Sequence, residues 1–330
     1  MVLPTKGRVK SLLVLVVAAF IIIVAIAGLS GKPPDQNALP TRESTIPTNA
    51  TKMMPETDPY PPMLHSDDYM APVPVPGSIN TAGGEDSPFI MPDGNTMYFF
   101  FTPNVTVPVE KQLLDGVTGI YVARKSNGTW GSVERVVLQD PGKLALDGAA
   151  FVQNNTMWFA SAREGYTGVN MFTAEIMNGK WANWRYAGDK LNKEYLMGEM
   201  HITADGSELY FHSARAGGSG GYDIWVTKKV NGEWQMPESV AAVNTPWTEG
   251  WPFITQRGDE LWFTREYNGT PAIFMSIKTN GTWSPPQLIA SRFAGEPTLD
   301  EAGNLYFVHH YFKDGRMIEA DIYVAYKKAM

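Results

Sequence analysis

The pattern Asn-Gly-x-Trp recurs along this chain and limits what it can fold into. It stands at Asn127-Gly128-Thr129-Trp130, Asn178-Gly179-Lys180-Trp181, Asn231-Gly232-Glu233-Trp234 and Asn280-Gly281-Thr282-Trp283, at spacings of 51, 53 and 49 residues. Asn-Gly supplies the two positive φ angles that a tight two-residue hairpin needs. A short apolar strand precedes each copy, as in Gly119-Ile120-Tyr121-Val122 and Asp223-Ile224-Trp225-Val226. Before that come a turn and a further apolar strand, as in Asp205-Gly206-Ser207-Glu208-Leu209-Tyr210-Phe211. Each unit therefore reads strand, turn, strand, loop, strand, Asn-Gly turn, strand. Antiparallel four-strand units at a period of about 50 residues are the pattern of propeller blades.

A fifth copy, over 302–307 and 321–324, stops after its third strand. Its missing strand has a counterpart at the start of the repeats. Pro76-Gly77-Ser78-Ile79-Asn80-Thr81 is similar to Val240-Ala241-Ala242-Val243-Asn244-Thr245, which ends the third unit. Residues near 72–80 are thus expected to complete the last blade and close the ring, which protects open sheet edges. The fold expected over 72–330 is all-β, a five-bladed β-propeller with four-stranded blades whose last blade is closed by an N-terminal strand. The segment Ala204-Asp205-Gly206, Tyr210-Phe211-His212-Ser213-Ala214-Arg215 and Gly220-Gly221-Tyr222-Asp223-Ile224-Trp225 resembles the repeat of TolB-type propellers, with weaker copies over roughly 84–328. That resemblance implies the fold. It implies no single activity, because the family includes periplasmic interaction proteins, peptidase-associated propellers and other surface proteins.

Lys6, Arg8 and Lys10 precede an uninterrupted apolar run over 12–29. Eighteen helical residues reach about 27 Å, close to a bilayer core. The basic flank should stay inside, which places the following domain outside the cytoplasm. Residues 1–30 are expected to be one transmembrane helix and membrane anchor; a cleaved signal peptide, with Ala25 and Ala27 at the cleavage site, is the competing reading. Residues 31–71 are rich in Pro, Thr, Ser and Asp without an apolar period, which predicts an extended, poorly ordered tether. Six Asn-x-Ser/Thr sequons, from Asn49 to Asn280, are acceptors for glycans in a host that makes them. The chain has no cysteine, so disulfides, thiolate metal sites and cysteine nucleophiles are excluded. A net charge of −7 lacks the basic footprint of a nucleic-acid partner.

Each first strand carries an acid near its start: Glu85, Asp147, Glu199, Glu249 and Glu296. Asp147, Glu199 and Glu296 align by sequence, with Glu85 and Glu249 two residues earlier. A two-residue step keeps the side of a strand, so all are expected to ring one mouth of the channel. His201 follows Glu199 on that side, and Trp251 holds the equivalent place in the fourth unit. Second strands end at the same mouth, in Ser161-Ala162-Arg163, Ser213-Ala214-Arg215, Thr264-Arg265 and His309-His310-Tyr311.

A repeated acid beside a repeated arginine reads first as an inter-blade ion pair. The function expected is a binding module for a glycan, a peptide or an envelope protein, with Trp251, His201, Glu249, Glu296 and Arg215 at the mouth. The order of acids also resembles arabinanase-like five-bladed glycosidases, where acids of the first three blades serve as base, pKa modulator and general acid. That resemblance implies Glu85 or Asp86, Asp147 and Glu199 as catalytic residues of a glycoside hydrolase, since such hydrolysis needs two carboxyl groups. The five histidines are scattered, and Gly217-Gly218-Ser219-Gly220-Gly221 joins two strands rather than opening a helix. No metal, cofactor or phosphate site is expected from these patterns.

Overall fold

The computed structural model describes residues 40–192 and 197–329. The chain is all-β with a propeller fold. In the first unit Gly84–Ile90, Thr96–Thr102, Gly119–Ser126 and Thr129–Arg135 pair antiparallel in chain order. The second repeats this with Ala145–Gln153, Thr156–Arg163, Val169–Met177 and Lys180–Tyr186. The third and fourth, opening with Met197–Ile202 and Glu249–Ile254, split their outer strand into two short pieces. The fifth holds Ala294–Leu299, Leu305–Lys313 and Arg316–Ala325, and Val73–Pro74 joins its outer side, Val73 opposite Val324. The first strands touch in cyclic order, and Ala294–Leu299 returns to Gly84–Ile90.

The hairpin chemistry is as the sequence implies. Asn127, Asn178, Asn231 and Asn280 have φ of 50–51° and are followed by Gly at 76–83°, the primed turn that matches strand twist. The tryptophans of these turns lie between neighbouring units. Trp181 meets Tyr98 at 6.2 Å, Trp234 meets Trp158 at 6.0 Å and Trp283 meets Tyr210 at 6.3 Å, each edge-on. Apolar clusters likewise run from unit to unit, since one sheet cannot bury both faces alone.

The inner strands break the period of two. Their ladders shift between Asp86 and Phe89, Gly148 and Phe151, Met197 and Met200, Gly250 and Phe253, and Gly295 and Thr298. Ser87, Ala149, Trp251 and Glu296 sit at these shifts with φ of 47°, 52°, 53° and 58°. These are β-bulges, which bend a strand and re-aim a side chain.

The expectation of a loose tether is corrected for residues 40–71. This segment forms a helical turn at Arg42–Thr45, a 3₁₀ turn at Pro55–Thr57 and a strand at Met63–Leu64 paired with Ser291 and Ala290. Arg42 and Tyr69 are buried, at 4% relative exposure each. Proline and threonine give the segment no core of its own, and it takes its partners from the ring. The anchor expectation falls on residues 1–30, outside the described residues. Among the described residues no helix is long and apolar enough to cross a membrane.

Candidate functional site

The bulges divide the acids into two sets. Aligned on the ladder shifts, Glu85, Asp147 and Glu249 occupy one position, and Glu199 and Glu296 lie two residues further along. The expected single ring of five acids is therefore corrected, because a bulge between the two positions cancels the rule that a two-residue step keeps the side.

The first set is tied into the frame. Glu85 accepts hydrogen bonds from Thr81 N (2.8 Å) and Thr81 Oγ1 (2.6 Å), with Arg42 Nη1 at 3.4 Å. Glu249 repeats this with Thr245 N (2.8 Å), Thr245 Oγ1 (2.5 Å) and Arg265 Nε (2.7 Å). Asp147 takes Ser161 Oγ at 2.6 Å and Arg163 Nη2 at 2.8 Å. Glu85, Asp147 and Glu249 are thus each tied to an arginine, Arg42, Arg163 and Arg265, though burial still lifts Glu85 to about 8 and raises Glu249; none of the three lines the axial cup. Arg215, expected at the ligand, donates instead to Leu191 O at 2.7 Å and lies over Phe211.

The second set lines an axial cup of about 30 Å³, with Ser87, Glu199, His201, Trp251, Phe253 and Glu296 in its wall. His201 packs its ring 4.4 Å from both Phe151 and Phe253, and burial pushes it down to about 3. It is a neutral part of an aromatic plug. Trp251 is buried against His212 at 4.9 Å and Tyr222, rather than open for stacking. The Trp251 backbone N–H donates to His212 Nδ1 at 3.0 Å, so this nitrogen carries no proton. The His212 ring fits only because Gly198 faces it, since a Cβ there would come within 1.7 Å of Nε2.

Glu199 Oε1 accepts from Ser87 Oγ at 2.6 Å. Its Oε2 is buried without a hydrogen-bond partner among the described residues, 3.7 Å from the unprotonated His212 Nδ1. Burial lifts the Glu199 carboxyl to about 8, against the Ser87 hydrogen bond and helped by the Asp86 charge. Glu296 is raised as well, by burial and then by Asp86 and Glu199. The Ser87 N–H is shared between Asp86 Oδ1 (2.9 Å) and Glu296 Oε2 (2.8 Å). The third and fifth units thus each contribute a carboxyl to one cup, Glu199 and Glu296, with Ser87 of the first unit bonded to both; both carboxyls are held toward the acid form, and the charge of the neighbouring Asp86 raises each. His310, from the fifth unit, brings Nε2 to 3.9 Å from Asp86 Oδ1.

Glu199, Glu296, His201 and Trp251 are the expected site residues that do meet at the axis. Sequence reading did not single out Ser87; it placed His309-His310-Tyr311 at this mouth without expecting a metal there, and His212 reads in sequence as a residue inside a strand. Asp86, weighed there beside Glu85, had a sharper signal: it stands where the other units have Gly148, Gly198, Gly250 and Gly295.

No family model and no curated protein matches the chain. Among solved structures it is similar to TolB from Acinetobacter baumannii, with a TM-score of 0.42 and 13% identity over 75% of this chain and 55% of that one. The chain thus spans about half the length of that TolB chain. It is also similar to an endo-arabinase from Bacteroides thetaiotaomicron, with a TM-score of 0.45 and 13% identity over 78% and 96% of the two chains. An α-L-arabinofuranosidase from Podospora anserina, solved with cellotriose, gives a TM-score of 0.45 and 9% identity over 77% and 95%.

Proposed function

We propose that the chain is a five-bladed propeller, held outside the cytoplasmic membrane by residues 1–30, whose axial cup hydrolyses glycosidic bonds. The observation that carries this reading is Glu199, a buried carboxyl lifted to about 8 whose Oε2 has no hydrogen-bond partner among the described residues, in the same cup as Glu296, which is itself raised by the neighbouring Asp86. A proton-holding carboxyl beside a second carboxyl group is the pairing such chemistry uses. Glu199 donates its Oε2 proton to the leaving oxygen, and Ser87 keeps the group in place through Oε1. The Asp86 carboxylate takes a proton from the attacking water. The cup itself seats only a few atoms, so the scissile oxygen enters it and the rest of the sugar lies across the mouth. Glu85 and Asp147, each bonded to an arginine and outside the lining of the cup, carry no step in this reading.

The test is hydrolysis of a panel of aryl and natural glycosides by the purified full chain. Glu199→Gln is expected to lower kcat on natural glycosides by about 10²–10⁴. It should cost much less on aryl glycosides, whose leaving groups need no proton. Because the acid must hold its proton, activity is expected to fall as pH rises through about 8. A panel that is bound but never cleaved returns the cup to a binding role; a panel neither bound nor cleaved removes the glycan reading.

A further inference from the structure

Two carboxyl groups and one imidazole meet where the first and fifth units join at the axis. The ligand-capable atoms of Asp86, Glu296 and His310 all lie within 4.8 Å of one another. Among the described residues neither carboxyl has a lysine or arginine partner, unlike Glu85, Asp147 and Glu249.

His310 makes this more than a cluster of acids. Its side chain is 1% exposed. Its Nδ1 lies 3.4 Å from Phe293 O, and a carbonyl can only accept, so Nδ1 carries the ring proton. That leaves Nε2 with a lone pair. Nε2 is buried, has no hydrogen-bond partner among the described residues, and faces Asp86 Oδ1 at 3.9 Å. A buried lone pair turned toward carboxylate oxygens is unfavourable unless a cation lies between them. A histidine whose far nitrogen donates to a carbonyl while the near one faces carboxylates is the arrangement seen around bound metals, where the outer contact fixes the tautomer.

We propose that Asp86, Glu296 and His310 Nε2 bind a divalent first-row transition ion of the Zn²⁺ type. One nitrogen and two carboxylate oxygens suit such an ion, whereas Ca²⁺ and Mg²⁺ take oxygen shells. Ligand distances of roughly 2.0–2.2 Å require the three groups to close inward. Asp86, with 20% of its side chain exposed, has the freedom to do so. Three protein ligands leave a fourth position for water, the form of an open rather than a purely structural site. The site rests on these side chains alone; it shares Asp86 with the hydrolytic reading, so an ion bound here and Asp86 acting as base exclude one another.

The experiment is calorimetric titration of the full, untagged chain in detergent, after chelator treatment, with Zn²⁺, Mn²⁺, Ca²⁺ and Mg²⁺ in turn. One equivalent of Zn²⁺ is expected to bind and to raise the melting temperature. His310→Gln and Asp86→Asn are each expected to weaken Zn²⁺ at least tenfold. His65→Ala, on the outer segment, is expected to leave binding unchanged. Because His310 is buried and its variant can unfold, the partly exposed Asp86→Asn, checked by circular dichroism, carries the decision alone where His310→Gln does not fold. Absence of Zn²⁺ binding overturns the proposal. So does a stoichiometric site indifferent to Asp86→Asn, or Ca²⁺ binding in preference to Zn²⁺. Glycoside cleavage measured in chelator decides the hydrolytic reading separately.

Discussion

Arg42 does for the first unit what Arg163, Arg215 and Arg265 do for the next three. Each guanidinium donates to a carbonyl just before its unit: Ile79, Leu138, Leu191 and Val243 respectively. Each also lies over aromatic rings of its own unit, Phe99 and Phe101 in the case of Arg42. The second strand of the first unit ends in Phe101-Thr102 and carries no arginine, and the outer segment supplies the missing cation. Removing one partner of a buried pair leaves an uncompensated charge and costs about 3–5 kcal/mol. Arg42→Ala is therefore expected to destabilise the fold by about that much in denaturant unfolding. Arg42→Lys should recover only part, because an ammonium cannot serve Glu85 and two carbonyls in one plane. Adding Glu85→Gln to Arg42→Ala should restore stability; an additive double mutant would deny the coupling. The repeated acid–arginine pairing was legible from Arg163 and Arg265. The partner of Glu85 was not, because it lies 43 residues away in a segment with no repeat.

At the scale of the strand, what could be read was what short-range chemistry dictates. Asn127-Gly128 and its copies demand positive φ locally, so the hairpins followed from the sequence. The inner-strand bulges did not, because ring closure imposes them and they fall on residues as different as Ser87, Ala149, Trp251 and Glu296. Missing them placed all the acids on one face. The glycines one residue earlier were the available signal: Gly148, Gly198, Gly250 and Gly295 recur at one position of the inner strand, where Gly198, Gly250 and Gly295 face neighbouring side chains, and Asp86 is the exception. Gly198→Ala tests this. The added Cβ would meet the His212 ring, itself held by Tyr222 and Trp251. Overpacking of this kind costs about 1–3 kcal/mol or more. The expected result is a lower melting temperature together with loss of whatever ligand binding or activity Glu199 supports. The corresponding change Gly128→Ala, in a turn where a Cβ meets nothing, is expected to cost only the strain of its φ of 77°.

Over the whole molecule, residues 40–71 are a girdle on the ring, and their sequence looked like a linker for a physical reason. A segment that borrows its partners shows no apolar period of its own. Its contacts are spread over the first, fourth and fifth units. Arg42 pairs with Glu85, Lys52 with Glu319 and Asp321, and Asp58 Oδ2 stands 2.7 Å from His309 Nε2. Met63–Leu64 extends the fourth sheet, and Val73–Pro74 completes the fifth. Together these contacts cross the junction between the last unit and the first, where the ring closes. Ring closure is therefore expected to depend on this girdle: a chain begun at residue 72 keeps every repeat yet loses the buried Arg42 and the half-buried Lys52. It leaves Glu85, Glu319 and Asp321 buried without them, and each such loss costs several kcal/mol against a total stability of about 5–15 kcal/mol. A chain of residues 72–330 is expected to be unfolded or aggregated where one of 40–330 melts cooperatively. In the longer chain, limited proteolysis should cut 40–71 no faster than the core strands. Rapid cleavage there with an unchanged melting temperature would show the girdle to be dispensable and the ring to close by Val73–Pro74 alone.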